Sequence, residues 1–372
     1  MKLAVRNSCS DFMSYRAARV KSLFNAESGC NFSLDADLPL EGMDWKLGVI
    51  VGPSGSGKTS LGKQIFGPGH LFEPAWPADK PIIDAVAPDG DFDQVTAALS
   101  AVGLGDVPAW LRPFAVLSNG EKFRANLARL VAEAPAAAVV DEFTSVVDRQ
   151  IAKIGALAFS KAWRRTSGQV VLLSCHYDIL DWLQPDWVYD TANGSFAGRW
   201  LQPRPTFDLV FWKTDWSYWP LFEPHHYLKV PRMVAAQCYV GTVDDEPVVH
   251  LAVSSKNVGS GVEARACRLV VMPEWQGAGV GLRFLNQICQ WQREGHQFSR
   301  FPGRKLTTIF HTSHPGLCAA LRRLPPWRQV SANLYGGNKR RSVATMRKAG
   351  NLAGTGFGGH FRAVQGFRYV GT

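Results

Sequence analysis

Apolar positions follow two rhythms along the 372-residue chain. Trp45–Val51 (WKLGVIV), Ala136–Val140 and Val170–Ser174 are short apolar runs, the pattern of buried strands. Between them lie amphipathic stretches, in one of which Phe123, Leu127, Leu130 and Val131 recur at helical spacing. Helix and strand patterns alternate as far as Tyr189, which predicts an α/β core. Ahead of that core, residues 15–24 (YRAARVKSLF) and 30–40 (CNFSLDADLPL) read as two strands of an antiparallel opening. Thr191–Pro205 is rich in Gly, Pro and polar residues and predicts a domain boundary. Beyond it an aromatic segment, Phe207–Tyr227, leads to strand-like runs at 232–243, 247–254 and 264–272. A helix at roughly 279–293, a strand at 306–312, a helix near 316–323 and a strand around 361–370 complete the pattern. That order predicts a mixed sheet with a few helices. No internal repeat is visible.

Composition narrows the class. Hydrophobic residues make up 46% and charged residues 19%, enough for each half to bury its own core. No window reaches the ~18 continuous apolar residues of a membrane span. The start, MKLAVRNSCSDF, lacks the long apolar stretch and small-residue cleavage site of a signal peptide, so a cytoplasmic protein without a membrane partner is expected. Cysteines 9, 30, 175, 238, 267, 289 and 318 are scattered with no CxxC pair, which fits reduced, mostly buried thiols. The net charge of +10 is unevenly placed. Phe301–Thr372 holds 12 Lys or Arg and no acid, leaving the first 300 residues with 29 basic and 31 acidic side chains. An acid-free basic segment suggests an anionic partner.

Two glycine-rich turns carry candidate chemistry. The first, Gly52-Pro53-Ser54-Gly55-Ser56-Gly57-Lys58-Thr59, fits GxxxxGK[ST] between a predicted strand and a helix that continues through Ser60. Glycines there let backbone N–H groups curl around a β-phosphate, and the helix N-terminus adds positive potential. Lys58 reaches the β- and γ-phosphates, and the Thr59 hydroxyl ligates Mg²⁺. Leu117-Ser118-Asn119-Gly120-Glu121 opens the amphipathic helix, and the run to Val140 ends in Asp141-Glu142. A strand ending so sets one carboxylate on the Mg²⁺ shell and the next against an attacking water. Ser145-Val146-Val147-Asp148 follows, and the apolar strand at 170–174 ends in Cys175-His176.

This succession resembles the ABC ATPase family over residues 1 to about 198, as Walker A, signature, Walker B, D-loop and switch histidine. The resemblance implies ATP as ligand, Mg²⁺ on Thr59 and Asp141, Glu142 as general base and His176 on the γ-phosphate. It also implies that Ser118, Asn119, Gly120 and Asp148 belong to the ATP sites of a head-to-tail homodimer formed on ATP binding. Phe24 is a candidate adenine stacker or a core residue. Two positions depart from the family: Asn119 stands where Gly is usual, and Glu121 where Gln is frequent. The family's glutamine loop, which couples to transmembrane subunits, has no natural counterpart between Lys58 and Leu117, since Gln64 and Gln94 fit it poorly. A transport role is therefore not expected.

The second turn follows a predicted strand ending in Val271-Met272: Gln276-Gly277-Ala278-Gly279-Val280-Gly281, preceded by V-x-P-E-W. Bare amides at a helix start suit a pyrophosphate. A dinucleotide fingerprint would follow the first strand of its domain rather than the third or fourth. The turn resembles motif A of the GNAT N-acyltransferases. That resemblance implies a mixed α+β domain over 205–372, acetyl-CoA or another acyl-CoA on residues 271–272 and 276–281, and a preceding strand that splays to admit the pantetheine arm. The tyrosine that many relatives use as general acid is missing from Pro315–Arg323; Glu263, His311, His314 and Tyr335 are the other acid–base candidates. The eight aromatics of Phe207–Tyr227 read as core or as a platform for a nucleobase, and His225-His226 as structural groups or metal ligands. An ATPase fused to an N-acyltransferase acting on DNA or RNA is the function these features imply together. An ATP-driven nucleic-acid clamp with a non-catalytic second domain, and an acyltransferase for a protein or a small amine, are the alternatives.

Overall fold

The computed structural model describes residues 1–24, 31–227, 232–233, 235–259, 261–296, 302–333 and 363–371. Two compact units divide the chain: Met1–Trp76 with Arg129–Pro205, and Pro77–Ala128 with Thr206–Thr372. Among the described residues no helix is long and apolar enough to cross a membrane.

The first unit opens with β1 (Lys2–Ser8) antiparallel to β2 (Asn31–Asp37), with Val5 opposite Leu34. Its main sheet contains β3 (Leu47–Val51), β4 (Ala137–Val140), β5 (Gln169–Ser174), β6 (Trp187–Asp190) and β7 (Ser195–Ala197), in the order β4-β5-β3-β6-β7. β3 lies between two parallel neighbours and every one of its residues is buried, which is why it reads as an unbroken apolar run. Trp187 covers the strand so closely that a Cβ on Gly48 would lie 2.1 Å from its ring. The helix Lys58–Phe66 follows β3 and buries Leu61 and Gly62.

One expectation fails here. Residues 15–24 form a helix, Tyr15–Phe24, not a strand, and none of its residues is buried. Ala17, Val20 and Phe24 fall three and four apart, a helical interval, whereas Leu3 and Val5 alternate as a half-buried strand should. β2 thus pairs with β1. Phe24 is 76% exposed, so it is no core residue.

The second unit carries β8 (Val210–Thr214), β9 (Ala236–Val243), β10 (Glu246–Val258), β11 (Gly261–Val271), β12 (Thr308–Thr312), β13 (Trp327–Asn333) and β14 (Val364–Tyr369), in the order β8-β9-β10-β11-β12-β14-β13. β11 and β12 are parallel; every other described pairing in this sheet is antiparallel. Neither β8, inside the aromatic segment, nor β13, after Pro325-Pro326, is among the elements the sequence pattern predicts. The helix Val280–Glu294 makes the crossover between β11 and β12 and buries Val280, Phe284, Leu285, Ile288 and Cys289.

β11 and β12 pair only over Ala264–Ala266 against Thr308–Phe310. The cause lies in Arg268, whose φ of 54° puts a bulge into β11 and shifts its register against β10 between His250 and Ala252. A bulge bends its strand, so β11 leaves β12 there and the sheet forks.

Candidate functional site

The loop after β3 is shaped by glycine. Gly52, Gly55 and Gly57 have φ of 144°, 78° and 85°, a region that side chains with a Cβ rarely adopt. Gly57 caps the helix Lys58–Phe66 in left-handed conformation with no side-chain cap, which leaves the first amides to a ligand. Lys58 Nζ donates to the carbonyl oxygens of Gly52 (2.8 Å) and Pro53 (2.6 Å), curled back over the loop. Ser56 Oγ lies 2.6 Å from Thr191 Oγ1, which donates to Val51 O at 3.1 Å. Thr191, overlooked in the sequence, props the loop from the end of β6; a Cβ on Gly52 would meet its oxygen at 2.0 Å. Ser60 Oγ accepts from Asn7 Nδ2 at 3.0 Å, while Pro53, Ser54 and Gly55 are exposed.

At the end of β4, Asp141 Oδ1 accepts from Glu142 N at 2.9 Å. Glu142 and Thr144 have φ of 51° and 72°, a tight turn that leaves Glu142 exposed. The turn is stitched to β5: Phe143 N donates to Leu173 O at 2.9 Å and Ser174 Oγ to Phe143 O at 3.0 Å. His176 follows on that strand's exit, its Nδ1 3.4 Å from Thr144 Oγ1. Burial, reinforced by Arg149, lowers its pKa and favours the neutral ring. Asp148 caps the helix Arg149–Trp163 by accepting from Ile151 N at 3.0 Å.

In the second unit, Ser118 and Glu121 form a capping box. Glu121 Oε2 accepts from Ser118 N (2.8 Å) and Ser118 Oγ (2.9 Å). Its other oxygen accepts from Arg112 at 2.7 Å. Burial alone would raise the Glu121 carboxyl, but the bonds from Ser118 and Arg112 outweigh it and the pKa falls. Glutamate in place of glutamine at this position therefore serves an ion pair. Asn119 begins the helix Asn119–Glu133 and is exposed; Gly120 follows within its first turn.

No family model matches the chain. The cytochrome c biogenesis ATP-binding export protein CcmA of Rhodospirillum rubrum is 32% identical to it, covering 35% of this chain and 68% of that protein. CcmA of Paramagnetospirillum magneticum is 31% identical, covering 41% and 81%. The chain belongs to the ABC-type ATP-binding proteins. Among solved structures, one described as a cobalt transport ATP-binding protein shares 21% identity over 46% of this chain and 74% of its own, with a TM-score of 0.35. The dimeric structure of a bacterial ABC transporter cassette shares 12% over 51% and 94%, with a TM-score of 0.36. Scores so low carry no structural argument.

The ABC assignment accounts for the first glycine turn and leaves the second to be explained. Gly279 caps the helix Val280–Glu294 at φ 87°, ψ 6°, again with no side-chain cap, and nothing lies within 4 Å of where its Cβ would be. Gly277 has φ of 96°. Gly281 lets the helix approach β11, since a Cβ there would lie 2.8 Å from Val271 Cγ2. Gln276 Nε2 donates to Val271 O at 3.2 Å, and Gln276 Oε1 accepts from Gly105 N at 3.0 Å. Arg124 Nη1 donates to Gly103 O (2.9 Å) and Pro273 O (2.6 Å). The turn is thus fastened to the segment Pro77–Ala128 of its own unit.

A cavity of about 730 Å³ opens beside this turn, within the range of small-molecule sites. Val271, Gln276, Gly277, Gly279, Val280 and Gly281 line it; Met272 instead packs against the Trp219 cluster, and Ala278 is buried. Among the acid–base candidates, Glu263 is paired with Arg368 at 2.7 Å and Tyr335 lies outside the described residues. His314 Nδ1 accepts from Leu317 N at 3.3 Å, so its Nε2 is left to donate to Gly105 O at 3.2 Å, a structural role. His311 lines the cavity with a buried Nδ1 that has no partner. Burial, then the charges of Arg265 and Lys256, push its pKa down to about 4, so the ring is neutral near pH 7. Cys267 also lines the cavity, but burial raises its thiol pKa and keeps it from being a ready nucleophile. His226 packs against Trp219, and among the described residues no cluster of three or more metal-capable side chains exists.

Proposed function

We propose that the chain joins an ABC-type ATPase, residues 1–198, to a GNAT-type N-acyltransferase, residues 205–372, whose acceptor is an amine on nucleic acid. The observation that carries the acyltransferase half is the fork between β11 and β12, opened by the Arg268 bulge and ending at a glycine-capped helix. A seven-stranded sheet with one parallel pair and a transposed last hairpin, β12-β14-β13, supports the same reading. So does the fit of an acyl-CoA to the donor set: the amides of Gly277 and of Gly279–Gly281 for a pyrophosphate, Ala278 N being bonded to Trp275 O, and a slot beside β11 for the pantetheine arm.

In the ATPase half the Gly52–Thr59 loop would bind ATP, and Thr59 and Asp141 would hold Mg²⁺, which neutralises phosphate charge. Glu142 orients the attacking water and takes its proton, and His176 steadies the γ-phosphate. Ser118, Asn119 and Gly120 face the ATP of a second copy in a head-to-tail dimer. In the acyltransferase half the acceptor nitrogen attacks the thioester carbonyl; the C–N bond forms, the C–S bond breaks and the CoA sulfur leaves as thiolate. His311 takes the proton released by the amine. Proximity supplies most of the acceleration.

The export role in the relatives' names is the competing reading. The family's loop for transmembrane subunits has no natural counterpart between Lys58 and Leu117; in that stretch Gly105 is engaged by Gln276 and His314, and Arg124 just beyond it ties Gly103 to Pro273, which favours the fused-enzyme reading. The decisive test is transfer of label from radioactive acetyl-CoA to DNA, RNA or protein, with ATP and with the Glu142→Gln variant alongside. ATP-dependent label on nucleic acid is the expected result. Neither label nor acetyl-CoA binding would remove the acyltransferase.

A further inference from the structure

The cavity has two ends, and only one of them is accounted for by an acyl-CoA. At one end lie the amides of Gly277 and of Gly279–Gly281. At the other, Arg265 and Lys256 line the wall together with His311. Lys256 sits opposite Glu263 in the β10–β11 ladder, and Arg265 is two residues further along β11, so both cations leave the same face of the sheet. All three groups line the same cavity, and the two charges help hold the His311 ring neutral. Among the described residues no Asp or Glu lines the cavity, and neither Arg265 nor Lys256 forms an ion pair. Glu263, the nearest acid along the ladder, is turned to Arg368.

Lys256 is half-buried and Arg265 exposed on this wall, and like charges on one wall gain nothing from each other without a counter-charge. Among the described residues the one carboxylate on this face of the ladder, Glu263, is paired with Arg368 and does not line the cavity. Resting on the acyltransferase reading above, we propose that Arg265 and Lys256, with His311 beside them, form a second anion subsite that holds a backbone phosphate of a single-stranded nucleic-acid acceptor. The pyrophosphate of an acyl-CoA does not reach it. Val271, beside the glycine turn, and Arg265 are six strand residues apart, roughly 20 Å, and the forked part of β11 that would lodge the pantetheine arm lies between them. The acceptor's phosphate thus docks past the thioester end. Guanidinium and ammonium groups read a phosphate without reading sequence, so the subsite orients the acceptor strand and leaves base choice to other contacts.

The full chain, saturated with acetyl-CoA, is titrated into a fluorescein-labelled single-stranded octanucleotide and followed by anisotropy. Acetyl-CoA affinity is measured separately by calorimetry. In the Arg265→Gln, Lys256→Met double variant, oligonucleotide affinity falls at least tenfold and acetyl-CoA affinity stays within twofold. The slope of log affinity against log salt falls by roughly 1.4, two charges at about 0.7 each on a single strand. Arg265→Lys, which keeps the charge, retains most of the binding and reports on folding. Unchanged oligonucleotide affinity in the double variant overturns the subsite, as does an equal loss of acetyl-CoA, which would assign the cations to the cofactor. Displacement of the oligonucleotide by a phosphoserine peptide in preference to a mononucleotide overturns the nucleic-acid assignment. Acetyl-CoA binding without oligonucleotide binding defeats the subsite alone. Oligonucleotide binding without acetyl-CoA binding defeats the acyltransferase reading and leaves the phosphate subsite in place.

Discussion

The molecule builds a helix start from glycine twice, with nearly the same backbone. Gly57 has φ 85° and ψ 10°, Gly279 has φ 87° and ψ 6°, and neither helix has a side-chain cap. The difference lies in what surrounds them. After Gly57 come Lys58, Thr59 and Ser60; after Gly279 come Val280, Gly281 and Leu282. The first helix follows a strand locked between two parallel partners, the second a strand that has left its neighbour. An anion at the first is met by a cation and hydroxyls. An anion at the second is met by backbone alone and must be retained by the slot beside it. On the function proposed above, one backbone device would serve charge-driven binding in one unit and shape-driven binding in the other.

The comparison can be broken most directly at the lysine. Lys58→Ala should lower ATP turnover by a thousandfold or so, because it removes the one mobile cation at the phosphates. It should leave acetyl-CoA affinity within twofold, and calorimetry showing both lost would mean that the two turns are not independent sites.

Acid separates the units next. His250 is fully buried and its pKa is pushed down to about 4 by burial. A depressed base favours unfolding below its ordinary pKa of 6.5. Its contribution is therefore complete above about pH 6.5, declines as pH falls toward 4 and is flat below, at roughly 3 kcal/mol in all. His311 adds to the loss in the same window. Both lie in the second unit, so acetyl-CoA binding should fail before ATP binding on a pH titration from 7 to 4.

A smaller effect is expected from Gly279→Val. The β-branched residue strains a φ of 87° and fills the space beside the amides, so acetyl-CoA should bind at least tenfold more weakly while ATP turnover holds. Smallest is Glu121→Gln, which weakens the tie to Arg112 and half of the capping box. Thermal unfolding should show about 1 kcal/mol of lost stability.

How legible these features were depended on how much of the physics was local. The Gly52–Thr59 loop, the Asp141-Glu142 strand end and His176 stand out because motif, flanking strand and helix lie within a few residues of one another. The strand β3 was legible for the same reason, as an apolar run with no alternation. Tyr15–Phe24 is a helix, not the expected strand, and its apolar residues fall at helical intervals, whereas Leu3 and Val5 alternate as a strand's do. The Arg268 bulge could not be foreseen, because nothing in Cys267-Arg268-Leu269 marks a left-handed residue. Nothing in the sequence singles out Arg265 and Lys256; only the pairing of β10 with β11 brings them to one wall. Residues 334–362, with half of the basic segment's cations, lie outside the described residues, so the anionic partner rests on the cavity rather than on that run.

The fastening of Pro77–Ala128 within the second unit has a consequence for how the chain is made. Gly105 meets Gln276 across 171 residues, Arg124 meets Pro273 across 149, and His314 meets Gly105 across 209. At ~5–20 residues per second, a ribosome needs roughly 7–40 s to deliver those partners after the segment has emerged. During that interval the buried guanidinium of Arg124 waits without Pro273, and the nascent ATPase half carries its signature segment unanchored. Chains released after Pro205 would keep every nucleotide-binding motif and still lack these partners, so they should be caught by chaperones and proteases far more often than their intact core suggests.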